Sequence, residues 1–305
     1  MANLIGRAVL GVTNRSIVRS AVTRTRPGRA LSRRFVAGEL LDDVIAVAKD
    51  LNNRGFRVSL DHLGEYVTDE TKALQARDDY LAAIDAIAAN GLDANVSVKL
   101  TQLGLGTNDD LARRSLGAIA RRAAERETTV TIDMEDATLT EATIQMYEVV
   151  QQEFGILGIA IQAYLHRSVD DIARVAPLGG HIRLCKGAYA EPSEVALQSS
   201  DDIDANFDLL VNKLMKYETT MPAIATHDEA RIAAAERSAA DRIHPWEFQM
   251  LYGVRTKMQG KIIESGRPLR VYVPYGDAWY PYLTRRLAER PANMLFFARA
   301  ALSRG

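Results

Sequence analysis

Short strand-like runs alternate with longer helix-like runs from residue 55 onward, and this rhythm constrains the fold more than any other feature. The strand-like runs are RVSLD (57–61), NVSVK (95–99), TVTID (129–133), GIAIQ (158–162), HIRLC (181–185), PAIAT (222–226), EFQML (247–251) and RVYVP (270–274). Amphipathic stretches such as 71–90, 109–126, 203–217 and 228–240 separate them. Strands that alternate with helices form a parallel sheet. Eight such units predict an α/β fold, a (β/α)8 TIM-type barrel over residues 36–305, with an extra N-terminal helical arm over residues 1–35.

Inside the strands, branched apolar residues alternate with small or polar residues, as Val58 and Leu60 do with Ser59. The apolar side is predicted to meet the helices, and the other side to face the barrel lumen. Polar or ionisable residues end the inward side of most strands: Asp61, Lys99, Asp133, Gln162, Arg183, Thr226 and Tyr272. Active sites of barrel enzymes lie at this carboxyl-terminal rim, so we expect these side chains to form one site.

The bulk composition excludes several classes of protein. The formal net charge of −1 provides no general field that would attract nucleic acid. The single cysteine, Cys185, excludes an internal disulfide and is compatible with a reducing cytoplasm. No apolar run of about 20 residues is present, so no membrane span is expected.

The first 38 residues differ from the rest of the chain in their charge composition. No acidic residue precedes Glu39, whereas arginine is frequent there. An arginine-rich, acid-poor start is typical of an organelle transit peptide. It also suits an arm that lies on an anionic membrane surface, or a loosely packed, solvated arm. The sequence leaves these three interpretations open.

The common cofactor and catalytic fingerprints are missing. No G-x-G-x-x-G follows a strand, and no G-x-x-x-x-G-K-[ST], H-E-x-x-H or G-x-S-x-G occurs. The segment IDMED (132–136) offers three carboxylates for a divalent metal, although only Asp133 points inward by the strand alternation. Lys99 or Lys186 would suit a Schiff-base lyase. A metal-dependent or Schiff-base barrel lyase that acts on a carboxylated substrate is therefore one alternative.

Two segments after strands five and six indicate a bound ligand. In RLCKGAY (183–189), Arg183 leaves the strand and Gly187 permits close backbone approach to a ligand. In ATHDEA (225–230), Thr226 and His227 lead into a helix, where they serve either a ligand or only a helix cap. Donors at these positions suit a large, anionic, heteroaromatic ligand.

The stretch YPYLTRRLAERPAN (280–293) places Tyr282, Arg285, Arg286 and Glu289 on one helical face. Two guanidinium groups there form either an anion-binding wall or a solvated face with an Arg–Glu pair.

Ten segments in this order resemble the proline dehydrogenase family, including the proline dehydrogenase domain of the bifunctional proline utilisation flavoenzymes. They are FVAGE (35–39), LDHLGE (60–65), VSVK (96–99), IDMED (132–136), IQAYL (161–165), RLCKGAY (183–189), ATHDEA (225–230), FQMLYG (248–253), VYVPYG (271–276) and YLTRRLAER (282–290). The chain is too short to hold the second enzyme domain and has no evident DNA-binding segment. The resemblance is therefore to the monofunctional enzyme.

The resemblance implies a flavoenzyme that oxidises L-proline to Δ1-pyrroline-5-carboxylate by hydride transfer from proline C5 to N5 of noncovalent FAD. A membrane quinone then accepts the electrons. It implies a cytoplasmic enzyme that makes peripheral contact with the inner face of a membrane, and no nucleic-acid partner.

The same resemblance assigns individual residues. Catalytic roles fall to Lys99, Asp133, Arg285 and Arg286. Substrate-binding roles fall to Lys99, Leu251, Tyr272, Tyr282, Arg285, Arg286 and Glu289. Cofactor contacts fall to Asp133, Met134, Gln162, Arg183, Cys185, Lys186, Gly187, Ala188, Thr226 and His227. We also expect Glu65 to pair with Arg285 as a lid when no substrate is bound. An inactive barrel that only binds ligand remains the non-enzyme alternative.

Overall fold

The computed structural model describes the backbone of residues 33–288 and the side chains of residues 33–284. Its strands are β1 (Arg57–His62), β2 (Ala94–Val98), β3 (Val130–Ile132), β4 (Leu157–Gln162), β5 (His181–Cys185), β6 (Met221–Ala225), β7 (Glu247–Leu251) and β8 (Leu269–Tyr275). Its α-helices are α1 (Leu41–Asn53), α2 (Glu70–Ala89), α3 (Asp109–Glu125), α4 (Thr140–Phe154), α5 (Ser168–Val175), α6 (Ser200–Leu214), α7 (Glu229–Ser238), α8 (Thr256–Glu264) and α9 (Trp279–Ala288). Short 3₁₀ turns cover Leu100–Leu103, Ala137–Leu139 and Ala176–Leu178.

The strands close into a barrel in chain order. Each strand pairs in parallel with the next, and β8 pairs with β1 in the register Ser59 to Tyr272. The predicted (β/α)8 barrel is therefore confirmed. The element bounds also agree closely, except that β3 is shorter than predicted and α6 begins and ends three residues earlier. The side chain of Ser199 caps α6 by accepting a hydrogen bond from the backbone of Asp202, and this cap sets where α6 begins.

The apolar sides of the strands pack against the helices, as the alternation predicted. Val58, Leu60, Val96 and Val98 are each 0% exposed, and they belong to one continuous core with Tyr80 of α2. Full burial of such a side chain stabilises the fold by roughly 1.5–3 kcal/mol. The polar residues between them are left to face the lumen.

An extra helix, α1, precedes the barrel and packs beside β1 and β8. The segment that leads into α1 is anchored to the barrel, because the backbone N–H of Ala37 donates to the carbonyl of Pro274 at 2.9 Å. Phe35 and Val36 are buried in a small cluster with Trp279 of α9. The described part of the predicted arm, residues 33–35, thus joins directly onto the barrel surface. Between residues 33 and 288, no helix is both long and apolar enough to cross a membrane.

Candidate active site

A cavity of roughly 970 Å³ opens at the carboxyl-terminal rim of the barrel. Its volume lies near the top of the usual range for ligand pockets, about 300–1,000 Å³. The strand-end residues predicted to meet there all line it: Asp61, Lys99, Asp133, Gln162, Arg183, Thr226 and Tyr272. The structure therefore brings together side chains that are up to 211 positions apart in the sequence, from Asp61 to Tyr272.

Lys99 lies at the centre of a buried charge network. It directly follows β2, and its Nζ donates to Asp61 Oδ1 at 2.9 Å and Asp133 Oδ2 at 3.0 Å. A third contact reaches Tyr272 Oη at 3.3 Å. Burial lowers the pKa of the Lys99 ammonium, but Asp61, Tyr272 and Asp133 outweigh it and raise that pKa well above its ordinary value. A Schiff base requires a neutral amine, so this environment opposes a lyase built on Lys99.

Asp133 receives hydrogen bonds from several directions. Ser97 Oγ donates to its Oδ1 at 2.6 Å, Tyr272 Oη donates to its Oδ2 at 2.7 Å, and Arg183 Nη1 also donates to Oδ1. Burial alone would raise the pKa of Asp133, but Lys99 and Arg183, together with these hydrogen bonds, lower it to about 2. Asp133 is therefore an anion that orients its neighbours, and it is a poor general base at neutral pH.

The pKa of Tyr272 is shifted in the opposite direction to that of Asp133. Burial, followed by the charges of Asp133 and Asp61, raises the pKa of its phenol well above the ordinary value. Its hydroxyl thus remains protonated and donates to Asp133. The ring lies under the guanidinium of Arg183, whose Cζ is 5.1 Å from the ring centroid. This contact and the hydroxyl bond together hold the ring in one orientation.

Lys186 and Gly187 form the loop after β5. The Lys186 ammonium bridges Asp204 and Asp228, with Nζ 3.0 Å from Asp228 Oδ2. Gly187 has φ +123°, and a Cβ placed there would lie 2.2 Å from the ring of Tyr164. Its backbone conformation and the ring of Tyr164 both require glycine at this position, and the ligand contact that the sequence suggested stays a prediction.

Neither Thr226 nor His227 is the N-cap of α7. The cap of α7 is Asp228, whose Oδ1 accepts from the backbone of Ala230 at 3.0 Å. Thr226 accepts from the backbone of Asp228 at 3.1 Å. His227 Nε2 accepts from the backbone N–H of Leu251 at 3.0 Å, which assigns its proton to Nδ1 because a backbone N–H only donates. His227 thus ties the end of β6 to the end of β7.

The carboxylates of IDMED do not converge. Glu135 accepts from the backbone N–H of Thr101 at 3.0 Å, and Asp136 accepts from Tyr66 Oη at 2.8 Å. Only Asp133 of the three lines the cavity. Across residues 33–284, no group of three or more acidic, histidine or cysteine side chains is arranged to hold a metal ion. The geometry therefore gives no support to the metal-dependent alternative.

Leu251, Tyr272 and Tyr282 line the side of the cavity near β7, β8 and α9. Arg285 and Arg286 belong to α9, one turn after Tyr282. Their side chains lie outside the described part of the chain, as does Glu289. The anion-binding wall and the expected Glu65–Arg285 lid thus stay predictions.

The remaining predicted contacts, Met134, Cys185 and Ala188, also line the cavity. Sequence reasoning missed Tyr189, Gln249 and Arg255, which line it too. Gln249 had a usable signal, because the alternation in EFQML places it on the inward side with Glu247. Arg255 had none, since it lies in the β7–α8 loop with φ 49°, a loop geometry that strand periodicity does not predict.

Comparisons with known proteins agree on one family. The model of the family described as proline dehydrogenase matches residues 44–299. Proline dehydrogenase 1 of Bacillus subtilis (strain 168) is 41% identical over 276 residues, which cover 90% of this chain and 91% of that protein. A proline dehydrogenase of Deinococcus radiodurans is 37% identical over 280 residues, with 89% and 90% covered.

Solved structures show the same fold inside longer chains. Proline utilization A from Bdellovibrio bacteriovorus, inactivated by N-propargylglycine, superposes with a TM-score of 0.80 at 25% identity and covers 85% of this chain. A mutant of proline utilization A from Bradyrhizobium japonicum gives a TM-score of 0.76 at 24% identity over 91% of this chain. The present chain spans only 32% of the length of either solved chain.

Proposed function

The chain belongs to the proline dehydrogenase family, and from that premise we propose that it oxidises L-proline to Δ1-pyrroline-5-carboxylate with FAD as its cofactor. One observation carries the proposal. In the rim cavity of a barrel of this family, Lys99 is buried and held between Asp61, Asp133 and Tyr272. A fixed ammonium at this depth suits the carboxylate of a small zwitterion such as proline.

The residues around the cavity fit a flavin dinucleotide. Arg183 is 6% exposed, and its Nη2 finds no hydrogen-bond partner among residues 33–284. Gln162 Nε2 donates to the carbonyl of Glu135 at 2.8 Å, and its Oε1 accepts only a long bond, 3.4 Å, from the backbone N–H of Ala188. A second lone pair of Oε1 is left to accept a hydrogen bond from a ligand. The Lys186 ammonium pairs with Asp204 and Asp228 but stays partly exposed, so it can also face a diphosphate. These are donors for an anionic, heteroaromatic ligand, and the cavity is large enough for one.

We assign the cofactor contacts to the residues of this donor set and their neighbours. They are Asp133, Met134, Gln162, Arg183, Cys185, Lys186, Gly187, Ala188, Thr226 and His227. When bound, FAD would supply the oxidising chemistry by taking hydride from proline C5 at its N5 and passing the electrons to a membrane quinone.

The chain itself orients the substrate. We propose that Lys99, Arg285 and Arg286 bind the proline carboxylate, with Glu289 as a partner of the arginines. Leu251, Tyr272 and Tyr282 would then enclose the apolar ring and exclude water from it. Orientation of this kind is a large part of the rate enhancement of an enzyme.

The charges of the site also act on the amine of proline. Hydride leaves C5 readily only when the ring nitrogen is neutral, and the nearby cations lower the pKa of that amine. Asp133, with its pKa of about 2, holds Lys99 rather than removing the amine proton. We expect the turnover rate at saturating proline to rise with pH until the bound amine is deprotonated. A rate that falls as pH rises from 6 to 9 would contradict this assignment.

A quinone acceptor requires access to a membrane. We propose that the basic segment 1–35 provides a peripheral contact with anionic lipid, through arginines such as Arg7 and Arg15. Deletion of residues 1–34 should weaken binding to anionic vesicles and slow the turnover of membrane quinone. Unchanged vesicle binding and quinone turnover would contradict this role.

The first test is the visible absorption spectrum of the purified protein, before and after anaerobic addition of L-proline. Flavin bands that bleach with proline would support both the cofactor and the substrate. Flavin bands that proline does not bleach would contradict the substrate. A protein without flavin, even after incubation with FAD, would overturn the whole proposal.

A further inference from the structure

Gln249 connects a buried guanidinium to a buried carboxylate. Its Oε1 accepts from Arg183 Nε at 2.6 Å, and its Nε2 donates to Glu247 Oε1 at 2.8 Å. The chemistry of the two partners assigns this amide orientation, because a guanidinium only donates and a carboxylate only accepts. Gln249 is 3% exposed and lines the cavity. Both ends of its side chain are therefore fixed by charged partners.

The bond to Gln249 completes the orientation of Arg183. Arg183 Nη1 donates to Ser97 Oγ at 3.0 Å and also to Asp133. With Nε bound to Gln249, Nη2 is the guanidinium nitrogen that lacks a partner among the described residues. A planar guanidinium that is held at Nε and Nη1 cannot rotate, so the direction of the Nη2 donors is fixed as well.

Glutamine suits this position for an electrostatic reason. Glu247 is already neutralised by Arg270, whose Nε lies 2.7 Å from Glu247 Oε1, and by Arg57 at 3.1 Å. A carboxylate at position 249 would face Glu247 at hydrogen-bond distance, and an apolar residue would leave two charged groups with one partner fewer. A neutral amide serves both partners without adding charge.

We propose that Gln249 is a positioning residue for the redox reaction: it fixes the guanidinium of Arg183 so that the remaining Nη2 donors are held for the redox-active ring of the cofactor. This inference rests on the proposed flavin function. A fixed cation near the ring stabilises the more negative, reduced form of the flavin. If Gln249 no longer holds the guanidinium of Arg183 in place, the midpoint potential of the bound flavin should therefore fall.

The decisive variant is Gln249→Met, which keeps the side-chain length but cannot form either hydrogen bond. Its matched control is Gln151→Met. Gln151 is also 3% exposed and also bridges two groups, accepting from the backbone of Leu157 at 2.7 Å and donating to the carbonyl of Leu178 at 3.2 Å. Gln151 does not line the cavity. Both substitutions should lower the melting temperature, so stability alone does not test the proposal.

The measurement is the midpoint potential of the flavin in each purified holoenzyme, by equilibrium reduction against reference dyes. For Gln249→Met we expect the preference for reduced over oxidised flavin to fall roughly tenfold, which is about 30 mV for a two-electron couple. Gln151→Met should keep the wild-type potential. If Gln249→Met does not fold, Gln249→Asn serves instead. Its amide is one methylene shorter and cannot span both partners at their present distances, so it should shift the potential in the same direction.

Two results would overturn the proposal while wild-type protein still binds flavin. One is a wild-type potential in the folded Gln249 variant. The other is an equal shift in Gln151→Met, which would show a general effect of loosened packing. Wild-type protein without flavin is a separate result, because it removes the proposed function and this inference with it.

Discussion

The upper and lower halves of the barrel lumen are both lined by buried charges, but among residues 33–284 only the upper half leaves atoms of charged side chains without a hydrogen-bond partner. In the lower half, Glu247 is 0% exposed, and each of its oxygens is bound by Arg270, Arg57 or Gln249. In the upper half, Asp61 Oδ2 and Arg183 Nη2 are buried without a partner among residues 33–284.

This difference in hydrogen bonding distinguishes the part of the lumen that stabilises the fold from the part that is available to a ligand. Burying a charged atom without a partner is costly, so a lumen that served only stability would pair every charged group. The charged groups around Glu247 in the lower half are paired in this way. The upper half borders the large cavity, and its unsatisfied atoms are the ones that a ligand would complete. The same inward alternation of the strands thus produces two different regions. Below lies a closed plug, the fully paired group of Glu247 with Arg270, Arg57 and Gln249, and above lies a site that is open to a ligand.

The largest expected effect tests the lower half. Glu247→Ala leaves Arg270, whose side chain is 11% exposed, without its carboxylate. We expect the free energy of unfolding to fall by about 3–5 kcal/mol, measured by urea denaturation. The control is Asp50→Ala, which removes an exposed ion pair with Arg54 and should cost less than about 1 kcal/mol. Equal losses in the two variants would contradict the description of a closed plug.

Removing the central cation tests the upper half. Lys99→Met should lower kcat/KM for proline by roughly 100- to 1,000-fold, because the charged donor that we propose for the substrate carboxylate is lost. Flavin content should stay near that of the wild type. Lys261→Met, which changes an exposed lysine of α8, should leave both quantities unchanged. A Lys99→Met protein that turns over proline normally would refute the substrate role.

Acid provides a smaller test of the same network. The pKa of Asp133 is lowered from 3.8 to about 2 in the folded protein, so its stabilising contribution is complete above roughly pH 5. That contribution is lost as the pH falls toward 2, and it should amount to about 2 kcal/mol. The comparison is the unfolding free energy of wild type and Asp133→Asn between pH 5 and 2. The gap between the two should narrow as the pH falls, and a constant gap would contradict the lowered pKa.

The smallest effect is expected at Cys185. Burial raises the pKa of its thiol to about 11, so almost no thiolate exists at pH 8. Iodoacetamide should modify it slowly. Because the cofactor contact that we propose for Cys185 is made by its backbone, Cys185→Val should change proline turnover by less than about twofold. Rapid alkylation with loss of activity would show that this part of the cavity wall takes part in the chemistry.

Most of the fold and part of the site followed from local patterns. The period of the βα units predicted the barrel, and the alternation within strands predicted which side chains face the lumen. Local patterns did not predict Arg255 in its loop. They also did not predict that the ring of Tyr164 lies against Gly187 and requires glycine there.

The sequence by itself determined the barrel class, the inward set of side chains and the family, because these depend on periodicity and on motifs along the chain. Only the tertiary structure decided which inward groups bind one another. Lys99 meets Asp61 across 38 positions and Tyr272 across 173, and Gln249 meets Arg183 across 66. The periodicity of a strand predicts whether a side chain points inward. The height of that side chain in the lumen, and the residues that it meets from other strands, depend on the stagger between strands in the closed barrel. No single strand carries that information.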